Sequence, residues 1–279
     1  MTQATATPNV SPPAAIAGTI IKRHPLATRL WHWTNVVALF VMLMSGLMIF
    51  NAHPRLYWGS YGANMDHAWL EIGGDATRGR VRVAGVEIPT TGVLGHWRDA
   101  DGNIQTRAFP SWATIPSSYN LAMARRWHLT FAWLFAFGLL AFMVASLVNR
   151  HFKRDLRVRA AEVAPRHLAA DVRSHLKLRF HDPADPTAYN SLQKLSYVAV
   201  IFVLLPVMIL TGLTMSPNMD ATWPWLLDLF GGRQSARSIH FIAAFGLVGF
   251  IVVHVALVVL AGPINELRSM TTGWWRVPE

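Results

Sequence analysis

Four stretches of the chain are apolar almost without interruption: Leu30 to Phe50, Trp127 to Val148, Leu195 to Leu213 and Ile239 to Leu260, which are 21, 22, 19 and 22 residues long. At about 1.5 Å per helical residue each can cross a hydrocarbon core of roughly 30 Å. The pattern predicts an all-α membrane protein, a four-transmembrane-helix bundle over residues 20–265. A loop at 51–126, a linker at 149–194 and a short third loop connect the spans, with tails at 1–19 and 266–279. The first loop is too long for a simple connection. Within it "RVRVAGVEIPTTG" (80–92) alternates like a strand, and "RDADGNIQTR" (98–107) reads as a hairpin around Asp101 and Gly102. A small β-containing element is expected there. In "DADGN" the glycine comes fourth and no acid follows at the twelfth position of a calcium loop, so an ordinary turn is expected. "SPNMDATWPWLLDLFGG" (216–232) reads as an interfacial segment with Trp223 and Trp225 at headgroup depth. No internal repeat stands out.

Charge orients the bundle. The formal net charge is +10, yet Lys and Arg cluster between spans and not on a soluble domain with base-stacking aromatics, so no nucleic-acid partner is expected. Of the 25 Lys and Arg residues, ten lie in 149–194; Lys22, Arg23, Arg29, Arg268 and Arg276 bring that side to fifteen. The loop 51–126 holds eight, and Arg233 and Arg237 complete the count. By the positive-inside rule both termini face the cytoplasm of a bacterial inner membrane and 51–126 is external. The basic linker reads as a helical surface segment on anionic lipid, interrupted by Pro165, Pro183 and Pro186. Residues 1–19, rich in Ala, Thr and Pro, lack the pattern of a secretory signal and read as a disordered cytoplasmic tail. The absence of cysteine excludes disulfides and thiolate-ligated clusters.

Histidines supply the candidate chemistry. His24, His53, His67, His96, His151, His167, His175 and His181 fall in polar loops, where a solvated imidazole is the default, whereas His32, His128, His240 and His254 fall within or against apolar runs. His240 and His254 are fourteen residues apart, so they return to nearly the same helix face about 21 Å apart along the axis. Under the assigned topology His32 matches the depth of His254, and His128 that of His240. Two imidazoles facing each other can fill the two axial positions of a haem iron, and iron supplies the partner that a buried imidazole needs. Core histidines satisfied near helix ends, or proton-relay residues, are the alternative. Gly46, fourteen residues after His32, and Gly246 and Gly249 offer room for a flat macrocycle or for close helix packing. Arg29, Arg125 and Arg126 stand beside ligand positions, where they can pair with propionates or simply snorkel.

"HPLATRLWHWTN" (24–35), "YNSLQKLSY" (189–197) and the fourteen-residue histidine spacing of the fourth span resemble the di-haem cytochrome b subunits of formate dehydrogenase, nickel–iron hydrogenase and thiosulfate reductase. The resemblance covers all four spans and leaves out the enlarged external loop. It implies two haem b groups held by His32, His128, His240 and His254, and a subunit that carries electrons across the bilayer between quinone and a catalytic partner. It also implies a quinone pocket using Asn190 beside Gln193 and Lys194; a helix cap by Asn190 or Ser191 is the plainer role. The external loop suggests docking of a periplasmic redox partner, such as a molybdenum-cofactor oxidoreductase, which no residue identifies. Two other classes stay open: a self-sufficient quinone reductase oxidising a small anion such as superoxide, and a cofactor-free anchor or transporter.

Overall fold

The computed structural model describes residues 18–149, 163–176 and 191–277. Four long helices, α1 (Leu26–Phe50), α2 (Leu121–Val148), α4 (Ser191–Thr214) and α7 (Arg233–Ala261), are long and apolar enough to cross a membrane. Each is longer than its apolar run. α2 starts six residues before Trp127 because the Asn120 side chain accepts the Met123 N–H at 2.9 Å, a polar cap that begins the helix outside the apolar stretch. α7 likewise starts at Arg233, where the Gly59 carbonyl accepts the N–H groups of Gln234 and Ser235. Gly232 precedes it at φ 104°, and a Cβ there would meet Ser60 at 2.6 Å, so this junction needs glycine. In α4 a π-helical stretch, Val200–Leu204, precedes Pro206: the Leu205 N–H reaches back five residues to Val200 where proline disturbs the ladder.

α1 packs along α2, and α4 along α7. Ala38, Phe135, Leu139, Leu205 and Leu247, drawn from all four, form the buried centre. Outward positions such as Val37, Phe40, Phe137, Leu140 and Val252 remain exposed, as a lipid-facing surface requires.

The loop between α1 and α2 folds into a cap over one end of the bundle. Strands β2 (Arg55–Leu56), β3 (Leu70–Gly74), β4 (Gly79–Val83) and β5 (Val86–Pro89) form an antiparallel sheet in sequence order. The segment 80–92, expected as one strand, is two: Ala84 and Gly85 both take positive φ (48° and 87°), the two-residue hairpin geometry that the strand twist favours. β6 (Trp97–Arg98) and β7 (Ile104–Gln105) make the second hairpin, whose turn is tied by Asp99 accepting from Asp101, Asn103 and Gln105. The cap core of Phe50, Leu56, Leu70, Ile72, Ala108 and Phe109 extends to Phe241, beside His240.

The opposite end holds the first and last described residues, Gly18 donating its N–H to the Val277 carbonyl at 2.9 Å. Strand β1 (Ile20–Lys22) pairs antiparallel with β8 (Trp274–Arg276), and α8 (Pro263–Thr272) lies between α7 and β8. Residues 266–277, expected as a tail, are therefore ordered up to the last described residue. Trp275 is fully buried with the Arg23 guanidinium 4.4 Å from its ring centre, its indole N–H donates to Glu266, Arg29 donates to the Thr271 carbonyl at 2.5 Å and Trp33 to that of Met270 at 3.0 Å. Nothing in a three-residue strand or a mostly polar helix announces this clasp, which exists only through the pairing of distant segments. α3 (Pro165–Leu176) lies within the linker; Pro165 opens this helix at its first position, where a missing N–H costs nothing. α5 (Pro217–Thr222) and α6 (Trp225–Leu229) form the interfacial connection, with Trp223 and Trp225 exposed.

Candidate functional site

The helix neighbours bring four histidines into two facing pairs. On the cap side, His128 of α2 meets His240 of α7 with ring centroids 6.3 Å apart and planes at 59°. On the terminus side, His32 of α1 meets His254 of α7 at 6.4 Å and 60°. The structure thus joins the same pairs that depth along the helices predicts. Leu247, in the buried centre, is seven residues from each histidine of α7.

These separations can be tested against a shared metal. Two metal–nitrogen bonds of about 2.0–2.1 Å, each nitrogen roughly 1.1 Å from its ring centre, place collinear imidazoles about 6.2–6.4 Å apart. Both pairs fit. Among the described residues no group of three or more His, Cys, Asp or Glu converges as a metal's own ligand set. A pair alone suits an iron whose other ligands come from a macrocycle.

The cap-side pair is braced from behind. His128 Nδ1 lies 3.0 Å from the Met42 carbonyl and 3.2 Å from Ser45 Oγ, and His240 Nδ1 lies 3.0 Å from Thr211 Oγ1. A Cβ on Gly46 would come within 3.3 Å of His128 Cε1, and one on Gly212 within 3.5 Å of His240 Cε1. Gly46 therefore touches a candidate ligand as expected, whereas Gly246 faces Leu204 and Gly249 has open space. Ser45, Thr211 and Gly212 were not singled out by sequence reasoning, although a signal exists. "VMLMSGL" (41–47) and "VMILTGL" (207–213) are one pattern repeated on α1 and α4, which corrects the expectation of no internal repeat. The repeat is a heptapeptide inside two apolar runs, so it carries weight only once each copy is seen to face an imidazole.

Toward the terminus side, His32 Nδ1 and the Nε atoms of Arg23, Arg29 and Arg268 are buried without a hydrogen-bond partner among the described residues, as is the acceptor Asn35 Oδ1. Burial, and then Arg23, His32 and Arg29, push the His24 pKa down to about 4, so His24 is not the solvated loop histidine expected. Anionic groups such as propionates would satisfy these guanidinium N–H groups. Arg29 stands there as expected, with one arm already committed to Thr271. Arg125 and Arg126 are exposed on the second turn of α2. One turn before His240, Arg237 instead donates to the carbonyls of His53 and Arg55, tying α7 to the cap. Burial, Arg237 and Arg55 lower the His53 pKa.

Asn190 lies outside the described residues. Gln193 and Lys194 are half-buried in the first turn of α4, and Ser191 Oγ lies 3.0 Å from His167 Nε2 of α3, another loop histidine with a partner. Gly212 faces His240 and Gly246 faces Leu204. That antiparallel register puts the first turn of α4 about one turn beyond His254, toward the chain termini.

The family model described as prokaryotic cytochrome b561 matches residues 23–273. A protein of Azospira oryzae named as protein-methionine-sulfoxide reductase subunit YedZ1 is 27% identical over 237 residues, covering 85% of this chain and 90% of the relative. A protein of Cupriavidus necator named as a nickel–iron hydrogenase B-type cytochrome subunit is 22% identical over 273 residues, covering 93% and 88%. No solved structure matches the chain.

Proposed function

The chain belongs to the prokaryotic cytochrome b561 family of haem b membrane electron-transfer proteins, and from that premise we propose that it holds two haems b, one per histidine pair, and carries electrons across the bilayer between quinone and a redox partner. The observation that carries this reading is the proximity of His128 to His240 and of His32 to His254, with ring centroids 6.3 and 6.4 Å apart, a separation at which each pair could hold one iron between them. Bound between each histidine pair, a haem would supply a one-electron carrier. The protein supplies the rest. One rigid helix, α7, presents a ligand at each depth, and the apolar centre around Leu247 keeps water and ions from the space between. Arg23 and Arg29 offer charge to the terminus-side propionates.

In this reading both termini and the basic linker are cytoplasmic, and the β-cap faces the periplasm of a bacterial inner membrane, because fifteen of 25 Lys and Arg residues lie on the terminus side. Gln193 and Lys194, with Asn190 close by in sequence, are the residues assigned to quinone binding near the cytoplasmic pair. The cap docks a periplasmic oxidoreductase, in keeping with two relatives named as subunits of redox enzymes, a methionine-sulfoxide reductase and a hydrogenase; a molybdenum-cofactor enzyme is the partner class carried forward.

A dithionite-reduced minus oxidised spectrum with a pyridine haemochrome count on the purified chain tests the reading. Two non-covalent haems b per chain are expected. A colourless folded preparation, or one haem with the His240 and His254 variants spectrally unchanged, rejects it. Labelling of single cysteines at Ala100 and Ala169 in sealed vesicles tests the orientation; the reverse accessibility inverts it.

A further inference from the structure

We propose that Ser45 and Thr211 are positioning residues for the cap-side haem: each hydroxyl holds one imidazole in the tautomer that presents Nε2 to iron, a support that His32 of the terminus-side pair lacks among the described residues. The inference rests on the bis-histidine reading above.

The tautomer follows from counting protons. A serine hydroxyl has one hydrogen, and at Ser45 it is used on the Val41 carbonyl at 2.6 Å. Toward His128 Nδ1 at 3.2 Å the Ser45 oxygen can therefore only accept, as can the Met42 carbonyl at 3.0 Å. Both neighbours require the hydrogen on Nδ1, which leaves Nε2 with a bare lone pair. Thr211 repeats the arrangement: its hydroxyl donates to the Val207 carbonyl at 2.5 Å, so its oxygen accepts from His240 Nδ1 at 3.0 Å.

A serine or threonine in an apolar helix commonly bonds back to the carbonyl four residues earlier and does nothing more. Here both copies turn the remaining lone pair toward an imidazole on a neighbouring helix, and the next residue in each is a glycine touching that ring. The four elements of each half-site (the back-bonded valine, the methionine, the hydroxyl and the glycine) recur in order in "VMLMSGL" and "VMILTGL". α1 and α4 thus carry equivalent braces for the two ligands of one haem. Among the described residues His32 has no such brace, its Nδ1 being buried without a hydrogen-bond partner.

A hydrogen bond donated from Nδ1 makes Nε2 more basic and favours the ferric state. Deleting a hydroxyl weakens this donation, with the Met42 carbonyl still at His128 and the Met208 carbonyl at His240, and should raise the midpoint potential of the cap-side haem alone. A tenfold loss of ferric preference, at the low end of what outer partners contribute, corresponds to about 59 mV for one electron.

The test uses the full chain in detergent or nanodiscs with its haems. Redox titration of Ser45→Ala, Thr211→Val and the double variant, with ferric EPR, should show one haem shifted upward and the other unchanged, while Ser45→Thr and Thr211→Ser stay near the parent. In a His254→Ala background the single remaining haem should show the same shift. If Thr211→Val loses that haem and Thr211→Ser keeps it, the hydroxyl requirement stands; if both lose it, or if neither hydroxyl deletion moves a potential, the inference is overturned while the bis-histidine reading survives. Two haems retained by His254→Ala would overturn both.

Discussion

Gly46 stands directly behind the His128 imidazole: a Cβ there would lie 3.3 Å from Cε1, closer than a packed interior normally allows. The corresponding distance from Gly212 to His240 is 3.5 Å, an ordinary contact. Gly212→Ala should therefore be tolerated, and Gly46→Ala should force a shift of a few tenths of an ångström in His128. Valine at either position should push the ring from its place and halve haem content, from two per chain to one, with the terminus-side spectrum retained. A pyridine haemochrome count on the four variants checks this.

The two pairs should separate by mutation, since each loses one ligand and strands one imidazole. His240→Ala should remove the cap-side haem and leave the other reducible by quinol; His254→Ala should remove the terminus-side haem and abolish quinol reduction of the survivor. Single-turnover reduction by a soluble quinol, followed in the α-band, distinguishes them. The reverse pattern would move the quinone to the cap side and set aside the role of Asn190, Gln193 and Lys194.

Trp275 ties the chain ends together with its ring fully buried beneath Arg23. Trp275→Ala should cost about 3–5 kcal/mol by cavity formation, and Trp275→Phe clearly less. Because Arg29 is held by the same clasp and lies in the helix of His32, the alanine variant should also release the terminus-side haem first on heating. Thermal release followed at two wavelengths measures the order.

Arg237 is the cap's fastening to α7, donating to the His53 and Arg55 carbonyls, with Trp69 donating to Ser238 one residue later. Arg237→Met keeps the stem and removes the donors; the His53 carbonyl retains the Arg55 N–H at 2.8 Å, so the cost should be about 1–3 kcal/mol. Protease cleavage between residues 51 and 120 should accelerate in right-side-out vesicles while haem content holds. Unchanged cleavage would mean that the strands alone keep the cap closed.

The four spans, their order and the matching depths of His32 with His254 and His128 with His240 were legible in the amino-acid sequence, because apolar run length and a fourteen-residue spacing are properties of a single helix. The other features depend on which segments become neighbours. Only packing of α1 against α2 and of α4 against α7 turns Ser45-Gly46 and Thr211-Gly212 from generic small residues into contacts on particular imidazoles. Only the pairing of Ile20–Lys22 with Trp274–Arg276, across nearly the whole chain, makes a polar terminal stretch into a clasp. Periodicity reports what one helix can bury, but a side chain's hydrogen-bond partners are set by the neighbouring helix, and so they first appear in the tertiary structure.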